Sequence, residues 1–573
     1  MNLRQSLSRE RLKQMPITGL LTDLVSWVRE PRQEWDVWRA FATMRREAAF
    51  LRSGNFPPPD RGRLLIANLS NSICWAQMHS LLAIGLRMEG WTVSVLTSRL
   101  HPWANRVFTA HGITDFVYWE DILITDDEIT TCEREAAGFM KRDLTFREVK
   151  NWQFEGCRLG PQILSTVCRG VRQGAPDIGD PDIRNRIGAT LPLGLSTVFR
   201  TRRLLDRVQP DLITLVEANY AVFGIIVDVA VARGLNVVQA VQPSRDDAII
   251  LKRLTPESRR FHPSSLTPET MALVRNLAWT ESHERELHQE FSDRYSGKWF
   301  LQARNQPGCL RHSKDEILRD LSLDPSKKTA VLFSHVLWDA NLFYGEDLFE
   351  DYGDWFIQSI RAACANPRLN WLIKLHPANV WKRSFENASE ELAEITLIRK
   401  HIGDLPPHVR LLLPDTRISS YSLFETADFG ITVRGTTGIE LPCMGVRTLT
   451  AGTGRYSGLG FTTDFRTRED YLSCLSRLDT LPAMDHDEIL LAKKHAYFLF
   501  RRRPWLIRSF HSLFHPSQKL HPLYQYFSLN VSSLEEIRQN DDLKKWAVWA
   551  GNPLETDYLE PESPRRDLSP TTH

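Results

Sequence analysis

The residues best suited to chemistry lie between positions 427 and 460, where small hydroxyl residues follow a short apolar run. The pattern predicts a buried strand at Phe429–Val433, a turn and then a helix, the turn being formed by Gly435, Thr436, Thr437 and Gly438. Backbone N–H groups and threonine hydroxyls at a helix N-terminus suit a phosphate or diphosphate group. The alternative is an ordinary capped turn, because threonine is a frequent N-cap residue.

A second polar pair follows an apolar run upstream of that turn. The run from Trp371 to Leu375 predicts a buried strand, and His376 and Pro377 come directly after it. Proline lacks the N–H that a further ladder bond needs, so the strand ends there with His376 at its carboxyl edge. Ligands of open parallel sheets bind at this edge. A single histidine at a strand end more often has a structural role. Polar residues at the ends of two strands within one βαβ segment favour a binding site.

Alternating strand and helix patterns predict two successive Rossmann-like halves. We expect strands at 63–69, 92–96, 212–216 and 236–241 in the first half, and at 329–333, 371–375, 409–413, 429–433 and 448–451 in the second. The first turn, at 70–72, lacks the GxGxxG pattern, so a dinucleotide fingerprint is not indicated.

Five blocks in this order resemble the bacterial capsular-polysaccharide-synthesis family of GT-B glycosyltransferases. They are VLFSHVLWDA at 331–340, KLHP at 374–377, ISSY at 418–421, GTTGIE at 435–440 and RYSGLGFT at 455–462. The resemblance covers residues 211–464 best and implies a nucleotide-sugar donor bound in the C-terminal half. The His-Pro pair is shared with transferases of CMP-activated acidic sugars, so CMP- and UDP-linked donors both stay open. Gly435 replaces the family's usual serine, and Val446-Arg447 replaces its Lys-Pro.

The fold implied by this resemblance is α/β and GT-B-like, with two Rossmann-type domains facing across a cleft and helical N-terminal and C-terminal extensions. We expect a helical N-terminal extension at 1–60, an acceptor-side domain at 61–265 with a helical insert at about 120–205, a nucleotide-sugar donor domain at 266–490, and a C-terminal helix with a disordered tail at 491–573. The two substrates would then meet between the domains.

Glu217 is the candidate general base on the acceptor side, because it directly follows the predicted strand Leu212–Val216. A carboxylate at that place could deprotonate a sugar hydroxyl, as an inverting transferase requires. The alternative is a surface carboxylate near the N-terminus of the next helix. Asp246 and Asp247 are rival bases on a loop of the same domain.

Two groups of residues are candidates for contact with the phosphates of the donor. His335, Asp339 and Asn341 follow the first strand of the second half, and His335 is a candidate base or hydrogen-bond donor to the leaving phosphate. Lys374 and His376 are candidates for neutralising charge on the phosphates. Side-chain alternation along the strand leaves open that Lys374 points to the opposite face.

Glu440 and the Gly-rich loop at 455–460 each have two interpretations. Glu440 fits a capping box with Thr437, and it also resembles the glutamate that holds the nucleotide ribose in many GT-B enzymes. Arg455 and Tyr456 begin a loop that either closes over a sugar or is plain surface.

Composition indicates a globular protein without a nucleic-acid partner. The chain of 573 residues has 42% hydrophobic and 25% charged residues and a formal net charge of +2, whereas tracking of phosphates requires a large basic excess. The eight cysteines include no CxxC pair, which indicates reduced thiols. We find no signal peptide and no apolar run of about 18 residues, so we expect a cytoplasmic protein.

The segment Lys493–Trp505 interleaves cations with aromatic residues. It could lie on the anionic inner face of a membrane as a peripheral contact, or it could pack back across the cleft with its cations in water. No Asp-x-Asp motif follows a strand in a convincing context, so we expect no metal ion. The nucleotide sugar would be a substrate, and no other cofactor is expected.

The sequence therefore predicts an enzyme, a metal-independent glycosyltransferase that moves a sugar from a nucleotide-sugar donor to a surface polysaccharide or lipid-linked glycan. Two alternatives stay open. One is an enzyme of the same fold that epimerises a nucleotide sugar or transfers a polyol phosphate. The other is a non-catalytic glycan-assembly protein, which the departures at Gly435 and Arg447 keep open.

Overall fold

A computed structural model describes residues 28–306, 308–339, 342–385, 391–515 and 521–562 of the chain. Its strands are β1 (Gly62–Ala67), β2 (Trp91–Thr97), β3 (Phe116–Tyr118), β4 (Leu212–Leu215), β5 (Asn236–Val241), β6 (Ala248–Leu254), β7 (Thr329–Phe333), β8 (Asn370–Lys374), β9 (Val409–Leu412), β10 (Phe429–Thr432), β11 (Arg447–Thr450), β12 (Thr463–Asp464), β13 (Pro504–Leu506), β14 (Phe510–Phe514) and β15 (Gln525–Leu529).

The α-helices cover both faces of the two large sheets. They are α1 (Pro31–Glu47), α2 (Ala49–Ser53), α3 (Ile73–Arg87), α4 (Pro102–Ala110), α5 (Asp126–Met140), α6 (Phe146–Lys150), α7 (Leu159–Val171), α8 (Pro181–Val208), α9 (Ile225–Ala232), α10 (Pro268–Asn276), α11 (Glu281–Tyr295), α12 (Phe300–Ala303), α13 (Lys314–Asp320), α14 (Tyr352–Cys364), α15 (Ala378–Phe385), α16 (Ala393–His401), α17 (Ser420–Thr426), α18 (Thr437–Cys443), α19 (Arg468–Ser476), α20 (His486–Tyr497), α21 (Leu534–Asn540) and α22 (Asp542–Gly551).

The first domain is built on a sheet with the strand order β13-β6-β5-β4-β1-β2-β3. Strands β1 to β5 run parallel, whereas β6 and β13 add antiparallel to the β5 edge. The order of the parallel strands reverses between β1 and β4, and ligands of open α/β sheets bind at such a switch point. Glu217 follows β4 at that place.

The second domain has a fully parallel sheet with the order β12-β11-β10-β7-β8-β9. This is the Rossmann order 3-2-1-4-5-6, and its switch point lies between β7 and β10. Two Rossmann-type domains, with helices before and after them, confirm the predicted fold class. Every residue of β7, β8 and β10 is buried, as expected for parallel strands covered by helices on both faces.

The C-terminal segment returns from the second domain to the first. After α20 a π-helical turn at 498–502 leads into β13, where Arg503 and Trp505 are fully buried. The structure therefore supports the interpretation that this segment packs across the cleft, because its aromatic residues are covered by protein and are not available to lipid. Among the described residues, no helix combines the length and apolar character needed to cross a membrane.

Within the predicted extension at 491–573, the expectation of a disordered tail is wrong for residues 552–562. Asp557 is buried and accepts hydrogen bonds from the Thr267 N–H at 2.7 Å and the Thr270 hydroxyl at 2.8 Å. Tyr558 is also buried and donates to Glu560 at 2.7 Å. These residues are ordered because they hold a polar network of the first domain together. Residues 563–573, like 1–27 of the N-terminal extension, lie outside the described ranges.

Candidate functional site

A cavity of about 300 Å³ lies between the two domains, at the carboxyl edges of both sheets. The first domain contributes the residues after β5 and the segment before α10, and the second contributes the turns after β10 and β11. Part of the lining comes from α11, α12 and the π-helical turn. The polar lining residues are Gln242, Ser244, Arg245, His262, Ser264, Glu290, Arg294, Arg304, Asn305, Thr436 and Arg455.

The cavity carries four arginines against one acid, Glu290. Arg245 is paired, because its Nη1 donates to Glu290 at 3.1 Å and its Nη2 donates to Asp247 at 2.8 Å. Arg294 forms an ion pair of 2.8 Å with Glu440. The other two arginines, Arg304 and Arg455, differ from these.

Arg304 and Arg455 have no acidic partner in the described part of the chain. Arg304 donates to the Tyr524 hydroxyl at 3.3 Å and stacks on Trp381, while Arg455 donates to Ser264 Oγ at 3.1 Å. The Nε atoms of both arginines are buried without a hydrogen-bond partner among the described residues, and so is the Nε2 of Gln242. Buried donors without partners are costly, so these groups are suited to an anionic ligand.

The turn at 435–438 lies beside this cavity and is braced by Tyr456. The Tyr456 hydroxyl donates to the Gly435 carbonyl at 2.9 Å, and a Cβ on Gly438 would lie 2.2 Å from the hydroxyl oxygen of Tyr456. Thr436, the N-cap of α18, makes no capping bond with its side chain, and Thr437 Oγ1 is buried without a partner in the described ranges. The ordinary capped turn is therefore not what forms here. Tyr456 is fully buried, so it positions the turn rather than facing the cavity.

His335 and His376 are held as neutral rings. His335 Nε2 accepts the Val433 N–H at 3.2 Å, its ring stacks on Tyr352, and burial lowers its pKa well below the usual value. Its predicted role as a base is disfavoured, because the basic nitrogen is already used. His376 Nδ1 accepts the Ala378 N–H at 3.2 Å.

His376 is neutral, whereas the sequence analysis expected it to neutralise charge on the phosphates. Burial, with a smaller contribution from Lys382, lowers the pKa of His376 to about 4, and Asp339 opposes this lowering. A neutral His376 can donate one hydrogen bond, but it adds no positive charge for a phosphate. Pro377 separates it from α15, and Asp339 forms an ion pair with Lys382. Asn341, the third predicted residue of that loop, lies outside the described residues.

Lys374, Glu440 and Asp246 do not have their predicted roles in the structure. Lys374 is buried, and its Nζ donates to the carbonyls of Leu413 and Pro414 at 3.1 and 3.4 Å, away from the cavity. Burial also lowers its pKa to about 8.

The two carboxylates serve as structural partners. Glu440 is buried between Arg294 and the Tyr295 hydroxyl, which donates to it at 2.7 Å, so it forms neither a capping box nor an open ribose site. Asp246 caps α12 by accepting the N–H groups of Phe300 and Leu301 at 2.7 and 3.0 Å. The sequence did not predict these roles of Glu440 and Asp246, because their partners are remote in the chain.

Glu217 faces the second domain from the end of β4. It is partly exposed and accepts the Asn219 N–H at 2.8 Å, and Asn219 Nδ2 donates to the Tyr344 hydroxyl of the second domain at 2.6 Å. Burial raises the pKa of Glu217 to about 6, although the Asn219 N–H and Arg169 oppose this rise; Asp339 adds a small further contribution to it. This carboxylate is therefore ionised at neutral pH yet close enough to 7 to take up a proton, as a general base must.

Sequence reasoning missed nine of the eleven polar residues of the cavity, among them Gln242, Arg245, Arg294 and Arg304. The first two directly follow β5, so the rule that ligands bind at strand ends could have identified them. Arg294 and Arg304 lie on and after α11, in a segment whose polar pattern contains no such signal.

A possible metal-ligating group lies elsewhere. Asp36, His515 and His521 have ligand atoms within 4.8 Å of one another, between α1 and the β14–β15 hairpin. In the described residues no such group is found at the cleft, and metal independence stays a prediction.

No family model and no curated protein matches the chain. Among solved structures it is similar to the beta Kdo 2,4 transferase KpsC of Thermosulfurimonas dismutans, at 16% identity and a TM-score of 0.31, over 51% of this chain and 81% of that one. It is also similar to UDP-GlcNAc 2-epimerase from Neisseria meningitidis, at 10% identity and a TM-score of 0.26, over 76% and 95%. The spinosyn rhamnosyltransferase SpnG matches at 10% identity and a TM-score of 0.24, over 77% and 96%. Similarity this weak supports no conclusion on activity.

Proposed function

We propose that the protein is a glycosyltransferase whose interdomain cavity binds the phosphates of a nucleotide sugar. The observation that carries this proposal is the set of buried donors on Arg304, Arg455 and Gln242, which lack partners among the described residues and line one cavity at the carboxyl edges of two Rossmann sheets. A cleft between two such domains, with fixed donors for an anion, suits a nucleotide ligand. The turn at 435–438 adds Thr436 to the same lining.

In the proposed reaction Glu217 acts as the general base. It accepts the proton of an acceptor hydroxyl, the acceptor oxygen forms the new bond to the anomeric carbon, and the bond from that carbon to the donor phosphate breaks. The electron pair of the broken bond stays on the phosphate, where arginine side chains stabilise the growing charge. Glu217 follows β4 of the first domain and is not part of the lining of this cavity, whereas Arg455 follows β11 of the second domain and lines it.

The finer assignments follow from the sequence blocks. We propose membership in the capsular-polysaccharide-synthesis type of GT-B transferase, a CMP- or UDP-linked donor, a surface polysaccharide or lipid-linked acceptor, and action in the cytoplasm without a metal ion. The blocks at 331–340, 374–377 and 435–440 support this, because all three lie at carboxyl ends of strands of the second sheet.

Nucleotide binding tests the proposal directly. Purified protein is titrated calorimetrically with CMP, UDP, dTDP and GDP, and then with the corresponding nucleotide sugars. We expect one nucleotide class to bind, and we expect Arg304→Gln and Arg455→Gln each to weaken that binding about tenfold or more, because each removes a buried charged donor. Arg466→Gln is the matched control, since this arginine of the second domain is exposed and is not part of the lining.

Two results would contradict the proposal: no nucleotide binds, or the control weakens binding as much as the cavity variants do. Incubating the bound donor without acceptor separates the alternatives. Inversion at a sugar carbon identifies an epimerase, and donor binding without turnover, also after glycan acceptors are added, identifies a non-catalytic protein. Turnover that survives excess EDTA agrees with metal independence, and loss that Mg²⁺ or Mn²⁺ restores contradicts it.

A further inference from the structure

A second cavity, of about 610 Å³, lies between the helical insert of the first domain and the loop that follows β7. Tyr344 lines it, and the Tyr344 ring contacts His262 of the first cavity edge-on, with 5.1 Å between the ring centres. The Tyr344 hydroxyl also accepts the hydrogen bond from Asn219, two residues after Glu217. The second cavity is therefore a neighbour of the first, and Tyr344 connects its lining to the segment that follows Glu217.

The lining of this cavity is strongly cationic. Arg147, Lys150, Arg158 and Arg260 line it, and none of these side chains forms a hydrogen bond or ion pair within the described residues. A fifth cation, Arg259, is already neutralised, because its Nε donates to the buried Asp228 at 2.9 Å.

The lining contains a single acid against these cations, Glu346. Burial lowers the pKa of Arg158; Asp228 opposes this, and the like charges of Arg259 and Arg260 add to it. Four unpaired cations around one concave surface repel each other, so an anion that enters the cavity relieves this repulsion.

Aromatic rings lie between the cations. Trp152, Phe261, Phe343 and Tyr344 line the cavity, and Phe261 is 48% exposed although it is a large apolar side chain. The Trp152 ring stacks on Phe139 with 4.3 Å between ring centres, which fixes its orientation. Rigid aromatic faces with charged donors beside them suit a ligand that has apolar C–H faces and carboxylates, as acidic sugars do.

The wall formed by the second domain is rigid. The Glu346 N–H donates to Thr453 Oγ1 at 2.7 Å, and the Thr453 N–H donates to the Glu346 carbonyl at 2.8 Å. Gly345 has a φ of +137°, and a Cβ there would lie 2.2 Å from the Thr453 carbonyl oxygen. The cavity is thus preformed, and little conformational entropy is lost when a ligand binds.

We propose that this second cavity is a binding site for a carboxylate-bearing oligosaccharide and that it presents the acidic acceptor glycan to Glu217. The role as acceptor site rests on the proposed transferase function, whereas the binding of an acidic oligosaccharide does not. Arginine forks bind carboxylates with paired hydrogen bonds, and the aromatic rings hold the pyranose faces.

The test is calorimetric titration of the full chain with tetragalacturonic acid as the acidic probe and maltotetraose as its neutral counterpart of equal length. We expect the acidic probe to bind at least tenfold more tightly, and we expect this preference to shrink as salt is raised. The double variant Arg158→Gln/Arg260→Gln should weaken binding of the acidic probe about tenfold or more. Phe261→Ala should weaken it severalfold without changing the salt dependence, because it removes a contact and no charge.

Arg134→Gln is the matched control, because Arg134 is an exposed cation of the same helical insert whose one ion pair within the described ranges is with its neighbour Glu135. Equal affinity for the two probes, or equal affinity of the double variant and the wild type, would overturn the proposal. So would displacement of the acidic probe by millimolar inorganic phosphate, which would show an unspecific anion site. Titrating the same variants with nucleotide separates the two proposals: acidic-probe binding without nucleotide binding refutes only the transferase, and the reverse refutes only this site.

Discussion

The Glu217 carboxylate is the residue on which the proposed chemistry depends most directly. Glu217→Gln keeps the shape and removes the base, so we expect turnover to fall by ~10²–10⁴-fold while donor affinity stays the same. The pKa of about 6 also predicts the pH profile. A base must be deprotonated, so the kcat/KM of the wild type should rise with pH up to about 6 and then level off.

Glu135→Gln is the control for this variant, because Glu135 is a partly exposed glutamate of the same domain that lines neither of the two cavities. The control variant should retain wild-type turnover and the same rise of kcat/KM with pH up to about 6. Turnover of Glu217→Gln near the wild-type value, or an unchanged acidic limb in that variant, would remove Glu217 from the mechanism.

Lys374 provides a second test at this scale, since the sequence predicts a phosphate contact and the structure shows a buried ammonium bonded to two carbonyls. Lys374→Met should leave nucleotide affinity within about twofold of wild type. It should change the free energy of unfolding by less than about 1.5 kcal/mol, because removing a buried charge offsets the lost hydrogen bonds.

The pH dependence of unfolding checks the environment of Lys374 separately. Its pKa is about 8 in the folded state and ~10.4 when unfolded, so between these values the unfolded chain binds more protons. Stability of the wild type should therefore gain from rising pH in that window, and the methionine variant should lack this gain. A Lys374→Met variant that loses nucleotide binding while it stays folded would restore the phosphate role.

The rule that ligands bind at strand ends identified two residues that line the cavity, and their role in binding stays a prediction. Thr436 and Arg455 follow strands β10 and β11, and both line the cavity. The rule failed for Glu440 and Asp246, because their partners Arg294 and Phe300 are remote in the chain. A side chain next to a strand end is close to the site, but its partners decide whether it is available to a ligand.

At the scale of elements, the contact between Gly438 and Tyr456 sets the geometry of the turn after β10. Gly438→Ala would place a Cβ 2.2 Å from the Tyr456 hydroxyl, so the ring or the turn must move. We expect a loss of about 1–3 kcal/mol in the free energy of unfolding and weaker nucleotide binding, measured by urea denaturation and calorimetry.

Gly138→Ala is the matched control, because this glycine lies inside α5 and a Cβ there meets nothing within 4 Å. It should stabilise the protein by about 0.5–1 kcal/mol, as alanine favours helix over glycine. Equal stability of Gly438→Ala and the wild type would show that the turn tolerates a side chain.

The sequence predicts the buried parallel strands better than the antiparallel edge strands. The buried parallel strands β7, β8 and β10 are apolar runs next to turn residues, and their predicted bounds agree with the structure within one residue. Strands β6 and β13 were not predicted, because an antiparallel edge strand is defined by pairing with a distant segment. Thr280 begins α11 with a capping box, a boundary that local sequence does specify.

At the scale of the whole molecule, a buried charge network holds the C-terminal segment against the first domain. Asp557 pairs with Lys252 at 3.3 Å and with Arg503 at 3.6 Å, and all three side chains are at most 1% exposed. Arg503 also donates to the carbonyls of Leu251, Pro263 and Tyr558. The network therefore connects β6, the segment before α10 and β13.

Asp557→Asn removes the only negative charge of this network in the described chain and leaves two buried cations, so we expect a loss of about 3–5 kcal/mol at pH 7 in urea denaturation. Burial alone would raise the pKa of Asp557, but Arg503 and Lys252 hold it below its usual value. Its contribution is then complete above the unfolded pKa of ~3.9 and is lost as pH falls through the lower folded value, so the difference between variant and wild type should shrink only below about pH 4. Asp206→Asn, at an exposed pair with Arg233, should cost less than about 1 kcal/mol. An Asp557→Asn loss as small as this control would show that the C-terminal segment is held by its apolar contacts alone.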